Sequence, residues 1–531
     1  MSRIADTGSV SGGMFVRKSS GLVRTVSTLD TLFYCIIQLA IPYVVFNFAV
    51  FAFYPGASME IATLLALVGS IGVGTTYGLL SSVYPRSGGE YVFLSRVTHP
   101  FIGFVSSFVN TFYQAYYYGV NGAFAASIGL APFFYILGFQ TNNQSLTNIG
   151  AFIDSPLGWF LVGVVMILFF STQLYQGMRT YFKVQKWALV LALVGYSIFV
   201  LTLILGSTGV LDFRANFESY AGEGSYAALL ESAASQGAEL NPRMAWDQTR
   251  FFIIWPAFSF LFAVLSVSFS GEIKNIRRGQ LYAIVGANLV GGLFILLTTF
   301  FGRQAIGDEF LRATSFLGSV DPLPYPWLTT LASVLGGNVL LTAIINLSMA
   351  ILIVYVAAST AVYATRGFLA WGIDGMAPYK LGEVSERYHT PTYSILLTSL
   401  LALACLALYS FTDAVRVLSG IAPMGFVFGL TAFVGMLFPY IKREVYLASP
   451  ARVEIAGIPV MTIFGFFGSV VTFYVVYRAL VDDTYAANSA FSIGMIIAVF
   501  LSGAVWYFVA RAVRRSQGVD MDARFKEIPI E

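Results

Sequence analysis

Hydrophobic residues occur along this chain in long uninterrupted runs rather than in alternation with polar ones. The stretch from Trp187 to Leu205 contains no charged residue, and about twenty such residues in a helix cross a hydrocarbon core of roughly 30 Å. The strands of a membrane barrel would alternate polar and apolar positions instead. Because a backbone in lipid must satisfy its own hydrogen bonds, these runs predict transmembrane α-helices.

Runs of this length predict an all-α polytopic membrane protein with twelve transmembrane helices. The predicted spans are 31–53, 59–83, 101–129, 157–176, 184–206, 251–271, 281–301, 338–366, 392–411, 416–440, 457–477 and 489–510. Two connecting loops are long, 207–250 and 302–327, and in the first of them Tyr226 to Ala238 predicts a short surface helix. Neither loop is typical of a separate domain.

Composition narrows the class of protein further. Of the 531 residues, 57% are hydrophobic and 11% are charged, which excludes a soluble globular protein. The sequence has no Walker-type loop, no Gly-x-Ser-x-Gly elbow and only two histidines, His99 and His389. Its two cysteines, Cys35 and Cys405, lie in apolar runs and predict neither a disulfide nor a metal site. We therefore expect no enzyme, no cofactor and no ATP-driven pump, but gradient-powered transport of a small solute.

The distribution of basic residues predicts the orientation in the lipid bilayer. An even number of spans places both termini on one side, and the segments of that side hold 23 of the 30 Lys and Arg residues. Most of the remaining seven fall in the two long loops, where charge has little effect on topology. We expect a multi-pass protein of the cell membrane with both termini in the cytoplasm. The net charge of +3 then reflects topology rather than a nucleic-acid partner.

The third span contains the most polar intramembrane run of the chain, Asn110 to Asn121. Exposing so many hydrogen-bonding groups to lipid would be costly, so part of this run must face protein or water. Gln114 and Tyr118 share one helical face at positions i and i+4, with Tyr113 and Tyr117 beside them. These four side chains are candidate substrate contacts. The alternative is that they form hydrogen bonds between helices.

Acidic residues are absent from the middle of every predicted span. The carboxylates nearest to the membrane occur at span ends, where we expect them to reach water: Asp30, Glu60, Glu90, Glu272 and Asp374. A polycationic substrate would need an anionic partner inside the membrane, so polyamines are disfavoured. A neutral or zwitterionic solute with an apolar part suits this chain better. A monoamine remains an alternative substrate, because aromatic side chains can bind it through cation–π contacts.

Three motifs resemble the amino acid-polyamine-organocation (APC) superfamily of permeases. The first is Tyr84-Pro-Arg-Ser-Gly-Gly-Glu-Tyr-Val-Phe-Leu-Ser-Arg96, followed by His99-Pro-Phe-Ile-Gly103. The second is Gly271-Glu-Ile-Lys-Asn-Ile-Arg-Arg278 after the sixth span. The third runs from Arg366 through Asp374-Gly-Met-Ala-Pro378 to Thr390-Pro391. Three motifs in register over residues 84–391 are far more specific than any one of them.

The resemblance implies a five-plus-five inverted repeat with two additional helices, in which helices one and six are broken near the midplane. The implied divisions are a tail 1–28, a first repeat 29–206, a loop 207–250, a second repeat 251–440, peripheral spans 441–515 and a tail 516–531. Broken helices expose free N–H and C=O groups, which suit a substrate carboxylate and an amine or cation.

The candidate site lies at these two breaks. Pro42 in span one removes a helical N–H and predicts a break there, bringing in Gln38, Ala40 and Ile41. Many members of the superfamily place glycines at this break, so side chains here crowd a ligand. In span six the resemblance places the break near 260–266, and the implied contacts are Phe258, Phe260, Phe262, Ala263 and Ser266. Packing of the phenylalanines, and serines that bond back to their own helix, are the alternatives.

Two coupling ions, Na⁺ and H⁺, are candidates. In sodium-coupled relatives a hydroxyl pair in span eight helps to bind sodium, and Ser359 and Thr360 supply such a pair. Ordinary helix packing by these residues is the alternative. Some proton-coupled relatives carry a lysine in span five, where this chain has Ala192. The expected function is secondary transport of an amino acid or related amine-containing solute. The rival functions are transport of another solute and a non-transporting sensor, and a channel fits least.

Overall fold

The computed structural model describes residues 21–318, 327–413, 415–416, 418–485 and 487–526, and of Phe258 it describes only the backbone. Within these ranges twelve helical segments are long and apolar enough to cross a membrane, which confirms the predicted number. We number them spans 1 to 12: Thr28–Ala49, Met59–Val83, Pro100–Gln140, Pro156–Gln176, Met178–Ser207, Trp246–Glu272, Ile276–Ile306, Val339–Asp374, Thr392–Phe411, Ile421–Ile441, Val460–Val481 and Ala490–Ser516.

Nine of these described spans are single α-helices, whereas spans 1, 3 and 6 change their helical type along their length. Span 1 comprises the α-helix Thr28–Gln38, the 3₁₀ turn Ile41–Tyr43 and the α-helix Val44–Ala49. Span 3 comprises the α-helix Pro100–Phe124, the π-turn Ala125–Leu130 and the α-helix Ala131–Gln140. Span 6 comprises the α-helices Trp246–Phe252 and Ile254–Phe260 and the 3₁₀ segment Leu261–Glu272.

Shorter elements connect the spans. The α-helices are Glu90–Val97, Gln144–Ile153, Phe213–Ala221, Ser225–Ser235, Asp308–Leu317, Leu328–Gly336, Arg443–Leu447 and Met521–Lys526, and the 3₁₀ turns are Phe51–Phe53 and Tyr379–Gly382. Two antiparallel strands, β1 (Glu454–Ile455) and β2 (Ile458–Pro459), form a hairpin before span 11. The helix Ser225–Ser235 matches the surface helix predicted in the first long loop.

Spans 3 and 8 extend furthest beyond their predicted ends, for reasons that involve their local chemistry. Span 8 continues past Arg366 to Asp374, because both charged residues are buried in the protein, where Arg366 pairs with Glu272 and Asp374 with Arg96. Span 3 continues past its predicted end because Pro132 lies in the first turn of a new helical segment, where a missing N–H costs little.

The helices form one bundle with two distinct faces. The terminus face carries the start of span 1 and the helix Met521–Lys526, which packs against the helix Glu90–Val97. The loop face carries the loop 207–250. Span 6 is the most enclosed, spans 1 and 2 follow equally, and span 12 is the least enclosed. The twelve-helix, all-α fold is thus as predicted, while the inverted repeat, the breaks of helices one and six near the midplane and the domain divisions stay predictions.

Candidate functional site

The α-helix of span 1 ends at Gln38, and the chain turns before it becomes helical again at Ile41. Ala40 occupies the left-handed region with a φ of 47°, a conformation that costs a residue with a Cβ roughly 1–2 kcal/mol. Pro42 lies within the following 3₁₀ turn. Backbone strain of this kind is concentrated at functional sites. At this turn the N–H of Ala40 donates to the carbonyl oxygen of Ile37 and that of Tyr43 to Ala40, and Pro42 has no N–H. Among the described residues this leaves the N–H of Ile41 as the donor end of the turn.

Span 6 changes its geometry at the level predicted from the landmark motif. The α-helix ends at Phe260 and a 3₁₀ segment follows, with one non-helical residue inside it, Phe269. Ser266 accepts hydrogen bonds from Gln280 Nε2 at 2.5 Å and from Cys35 Sγ at 3.2 Å. This hydroxyl therefore links span 6 to spans 7 and 1. By contrast, Ser270 donates back to the carbonyl oxygen of Val267 in its own segment.

A small cavity lies where these two segments meet spans 3 and 8. Its volume is about 20 Å³, and the side chains around it are Gln38, Ala40, Tyr43, Gln114, Tyr117, Asn121, Phe262, Val356 and Thr360. Space of this size holds about one water molecule. The lining is neutral, with three amides, two phenols and no ionised side chain. The structure thus represents a conformation closed around this cavity, and a molecule larger than water enters only if the walls move apart.

Twelve of the fifteen predicted site residues fall into two groups. Six of them line the cavity: Gln38, Ala40, Gln114, Tyr117, Phe262 and Thr360. Six others are buried in the same region without lining it: Ile41, Pro42, Tyr113, Phe260, Ala263 and Ser266. Tyr118 lies apart from the cavity, since its hydroxyl donates to the carbonyl oxygen of Ile167 in span 4. The side chain of Phe258 lies outside the described residues.

Three lining residues escaped the sequence analysis, namely Tyr43, Asn121 and Val356. Asn121 carried a usable signal, because Gln114, Tyr117 and Asn121 follow each other at i, i+3 and i+7 on one helical face. Choosing Tyr118 instead of Asn121 selected the neighbouring face, which packs on span 4.

Polar groups of the lining are only partly paired with each other. Tyr43 donates from its hydroxyl to Asn121 Oδ1 at 2.7 Å, and Gln38 Nε2 donates to the hydroxyl of Tyr34 at 3.3 Å. Gln114 Nε2 lies 3.5 Å from the sulfur of Met424, a weak acceptor, and its Oε1 has no hydrogen-bond partner among the described residues. A buried amide oxygen without a partner is costly. Gln114 therefore offers a substrate ammonium group an acceptor that the protein itself leaves unused.

A second, larger cavity opens towards the loop face. Its volume is about 310 Å³, and its lining includes Trp255, Tyr409, Arg416 and Tyr485. Tyr117 borders both cavities, and its hydroxyl accepts a hydrogen bond from the N–H of Gly420 at 3.0 Å. We call the larger cavity the vestibule. A single aromatic side chain therefore takes part in the partition between the vestibule and the inner cavity.

The terminus face is closed by buried ion pairs. Arg366 Nε donates to Glu272 Oε1 at 2.9 Å, with the arginine side chain 0% exposed. Arg96 pairs with Asp374 at 3.2 Å, where both side chains are also buried. The expectation that the carboxylates at span ends reach water is therefore wrong for Glu90, Glu272 and Asp374, each at most 2% exposed. They are shielded because neighbouring elements fold over the ends of the spans.

Backbone pairing adds to this closure. Val26 donates from its N–H to the carbonyl oxygen of Glu272 and accepts from the N–H of Lys274, both at 3.0 Å. The segment before span 1 is thereby attached to the end of span 6. The two central spans meet at the terminus face through main-chain as well as side-chain contacts.

The hydroxyl pair of span 8 lies close to span 1. Ser359 and Thr360 donate from their hydroxyls to the carbonyl oxygens of Val356 and Ala357, at 2.7 and 2.6 Å. Tyr34 of span 1 donates to the carbonyl oxygen of Ser359 at 2.7 Å. Among the described residues no cluster of three or more His, Cys, Asp or Glu side chains forms a metal site. A role of the hydroxyl pair in sodium binding stays a prediction.

Comparison with protein families gives one match that covers nearly the whole chain. Residues 28–509 match the model of a family described as amino acid permease. The matched stretch begins at the first residue of span 1 and includes every residue that lines the inner cavity.

Proposed function

This chain belongs to the amino acid permease family, and from that membership we propose a specific transport function. The protein is a secondary active transporter that carries an amino acid, or a related small amine-containing solute, across the cytoplasmic membrane by alternating access. Membership of a transporter family and a bundle of twelve apolar helices support transport of amino acids as such. The cavity and the two faces support the finer statement.

The observation that carries the proposal is the inner cavity between spans 1, 3, 6 and 8. It lies beside the donor end at Ile41, which suits a carboxylate, and beside the unpartnered Oε1 of Gln114, which suits an ammonium group. The lining contains no ionised side chain to match a second charge on the substrate. We therefore favour a zwitterion with an apolar side chain that contacts Phe262 and Val356.

The two faces support alternating access. Buried ion pairs close the terminus face, whereas the vestibule reaches from the loop face as far as Tyr117. In the proposed cycle spans 1 and 6 move against spans 3 and 8, so that the ion pairs open when the loop face closes. The terminus face is cytoplasmic in this proposal, because most of the basic residues lie in its segments.

The direct test is counterflow in proteoliposomes. Purified protein is reconstituted into vesicles loaded with one unlabelled L-amino acid at a time, and entry of the same tritiated amino acid is followed. We expect rapid exchange of at least one amino acid with an apolar side chain and none in vesicles without protein. Lysine and spermidine serve as cationic comparison substrates and should exchange at least about tenfold more slowly, because the lining is neutral.

Three results would contradict the proposal. Exchange of cationic substrates alone would show that a neutral lining does not select zwitterions. Exchange of a solute that is neither an amino acid nor an amine would favour the rival transport function, for which the side chains at Ala40 and Ile41 give a physical reason. Binding without any exchange would favour a sensor.

A further inference from the structure

Glu90 is a buried acid that no cation neutralises within the part of the chain that the structure describes. It begins the helix Glu90–Val97, outside the twelve spans, and its side chain is 0% exposed. Oε1 accepts a hydrogen bond from Asn110 Nδ2 at 2.7 Å and another from the hydroxyl of Tyr363. Oε2 has no hydrogen-bond partner among the described residues. The carboxyl group is thus held in place on one side and left unsatisfied on the other.

The other buried carboxylates of the terminus face differ from Glu90 in having an arginine each. Glu272 pairs with Arg366, and Asp374 pairs with Arg96. An ionised carboxylate without such a partner is strongly disfavoured inside a protein, and the group then tends to bind a proton instead. A neutral Glu90 carries a hydrogen on one oxygen, which removes the charge.

The neighbours of Glu90 offer no substitute for an arginine. Tyr363 of span 8 and Tyr77 of span 2 are the ionisable groups that interact with it from other spans, and both are neutral phenols near pH 7. The face of span 10 that packs inward is free of ionisable side chains. The helix Met521–Lys526, which also contacts Glu90–Val97, carries Asp522, Arg524 and Lys526, of which Asp522 pairs with Arg511. Burial raises the pKa of Glu90 to about 7, opposed by the hydrogen bond from Asn110.

Glu90 is also connected to three walls of the inner cavity. Its partner Asn110 lies one turn before Gln114 in span 3, and its partner Tyr363 lies one turn after Thr360 in span 8. The loop before Glu90 is attached to span 6, because the N–H of Gly88 donates to the carbonyl oxygen of Ser268 at 2.9 Å.

The glycine that precedes Glu90 permits this close contact with span 6. Gly89 has a φ of +54°, and a Cβ at this position would lie 2.7 Å from Cγ2 of Val267. Short contacts therefore join Glu90 to segments that shape the cavity.

We propose that Glu90 is the binding site of a coupling proton, so that this protein is a proton and amino acid symporter. The inference rests on the proposed transport function and names its coupling ion. While the terminus face is closed and the proton is bound, as in this structure, Glu90 is neutral. Opening of that face admits water to the carboxyl group, which then ionises at its ordinary pKa and releases the proton there. The empty protein closes this face with Glu90 ionised and takes the next proton from the loop side.

The proton balance of one cycle is simple. A hydronium ion in the water that enters from the loop face transfers one proton to Oε2 of the Glu90 carboxylate and leaves a water molecule. When the terminus face opens, the neutral acid transfers the same proton to water on that side. One proton moves in the same direction as the amino acid, and no other reactant is needed.

The test compares wild type with Glu90→Gln in proteoliposomes that contain a pH-sensitive dye. The probe is an equimolar mixture of the twenty proteinogenic L-amino acids, tritiated. For wild type we expect amino acids to induce internal acidification, and an inside-alkaline gradient to drive accumulation. Glu90→Gln imitates the neutral acid and should abolish the acidification and reduce accumulation at least about tenfold, while counterflow exchange persists. Glu386→Gln, an exposed acid of the terminus face, is the matched control and should behave as wild type.

The results of this test distinguish failure of the proton-coupling inference from failure of the proposed transport function. Wild-type exchange without amino-acid-induced proton entry, or full proton coupling in Glu90→Gln, would overturn the inference and leave the transport function in place. Absence of any wild-type flux would overturn both. If Glu90→Gln fails to fold, Tyr363→Phe gives a second readout. Loss of a donor to the carboxylate should move the pH midpoint of driven uptake to higher pH, and an unchanged midpoint would contradict the proposal.

Discussion

The two faces of the bundle are closed by different kinds of contact. On the terminus face, Arg366 and Arg96 form buried ion pairs with Glu272 and Asp374. On the loop face the lining of the vestibule is mainly aromatic, with Arg416 as its charged side chain. The ion pairs of that face, Arg303 with Glu60 and Arg478 with Asp482, lie outside this lining. There Trp255 donates from Nε1 to the hydroxyl of Tyr54 at 3.0 Å.

This difference teaches how the two faces respond to water. A buried ion pair is strong only while it is dry, and its separated charges are stable only when they are hydrated, so the terminus face favours two distinct states. Aromatic side chains shift with a smaller penalty, because their hydroxyl groups exchange one hydrogen bond for another with water. We expect mutations on the terminus face to have larger effects than mutations near the vestibule.

The largest effect is expected for Arg366→Met. It leaves Glu272 buried without a cation, which typically costs about 3–5 kcal/mol. The measurement is thermal unfolding of the purified protein in detergent. Arg387→Met, an exposed arginine on the same face, is the control and should change stability by less than about 0.5 kcal/mol. Similar melting temperatures for both variants would show that the terminus face does not depend on this pair.

The next effect concerns pH. Because burial raises the pKa of Glu90 to about 7 from its ordinary 4.5, the folded closed state binds more protons than the unfolded state between these values. The contribution of Glu90 to the stability of this state is therefore greatest below about pH 4.5 and declines as pH rises to 7, by roughly 3 kcal/mol. Melting temperatures between pH 5 and pH 8 should fall less steeply for Glu90→Gln than for wild type. Parallel curves would contradict a raised pKa.

Between the two faces lies the inner cavity, where Gln114→Ala and Ser266→Ala test the site itself. Gln114→Ala removes the unpartnered amide oxygen and should weaken amino acid binding about tenfold, the equivalent of 1.4 kcal/mol. Ser266→Ala should weaken binding less, because this hydroxyl acts through spans 1 and 7. Binding is measured by titration calorimetry. Gln173→Ala, a buried glutamine outside the lining, is the control, and unchanged affinity in both test variants would reject the site.

The smallest effect is expected for Tyr117→Phe on the loop side. Loss of the hydrogen bond between its hydroxyl and Gly420 should destabilise the partition by about 1 kcal/mol, which corresponds to roughly fivefold easier opening. The readout is the labelling rate of Asn121→Cys by a thiol reagent added on the loop side. Tyr477→Phe, an exposed tyrosine of span 11, should leave this rate unchanged. Equal rates in both variants would show that Tyr117 does not restrict access.

The fold was largely predictable because lipid imposes one strong rule on the backbone. Long apolar runs must be helical, so the number and type of the spans follow from the sequence. The positions of the helix ends were harder to predict from the sequence. Arg366 and Asp374 were read as membrane boundaries, since their partners Glu272 and Arg96 lie far away in the sequence and pair with them only in the folded bundle.

Candidate site residues were predictable where the sequence marks an interruption of a helix. They were less predictable where the packing of helices determines which side chains face the cavity. Pro42 indicated the interruption beside Ala40, and the polar run of span 3 supplied Gln114 and Tyr117. The choice of Tyr118 over Asn121 depended on the rotation of span 3, which a single helix does not define. The burial of Glu90 depends on contacts from spans 3 and 8 and is invisible in a local motif.

The π-turn Ala125–Leu130 in span 3 has a consequence for how that span evolves. A π-turn holds one residue more than an α-turn, so it offsets the helical phase by about 100°. The half that ends at Phe124 presents Gln114 to the cavity, while the half after Leu130 presents Gln140 to Ser333 and Thr342. The two halves of span 3 therefore differ in the rotation of their side chains about the helix axis. Substitutions that alter recognition in the inner half leave the docking of the outer half undisturbed.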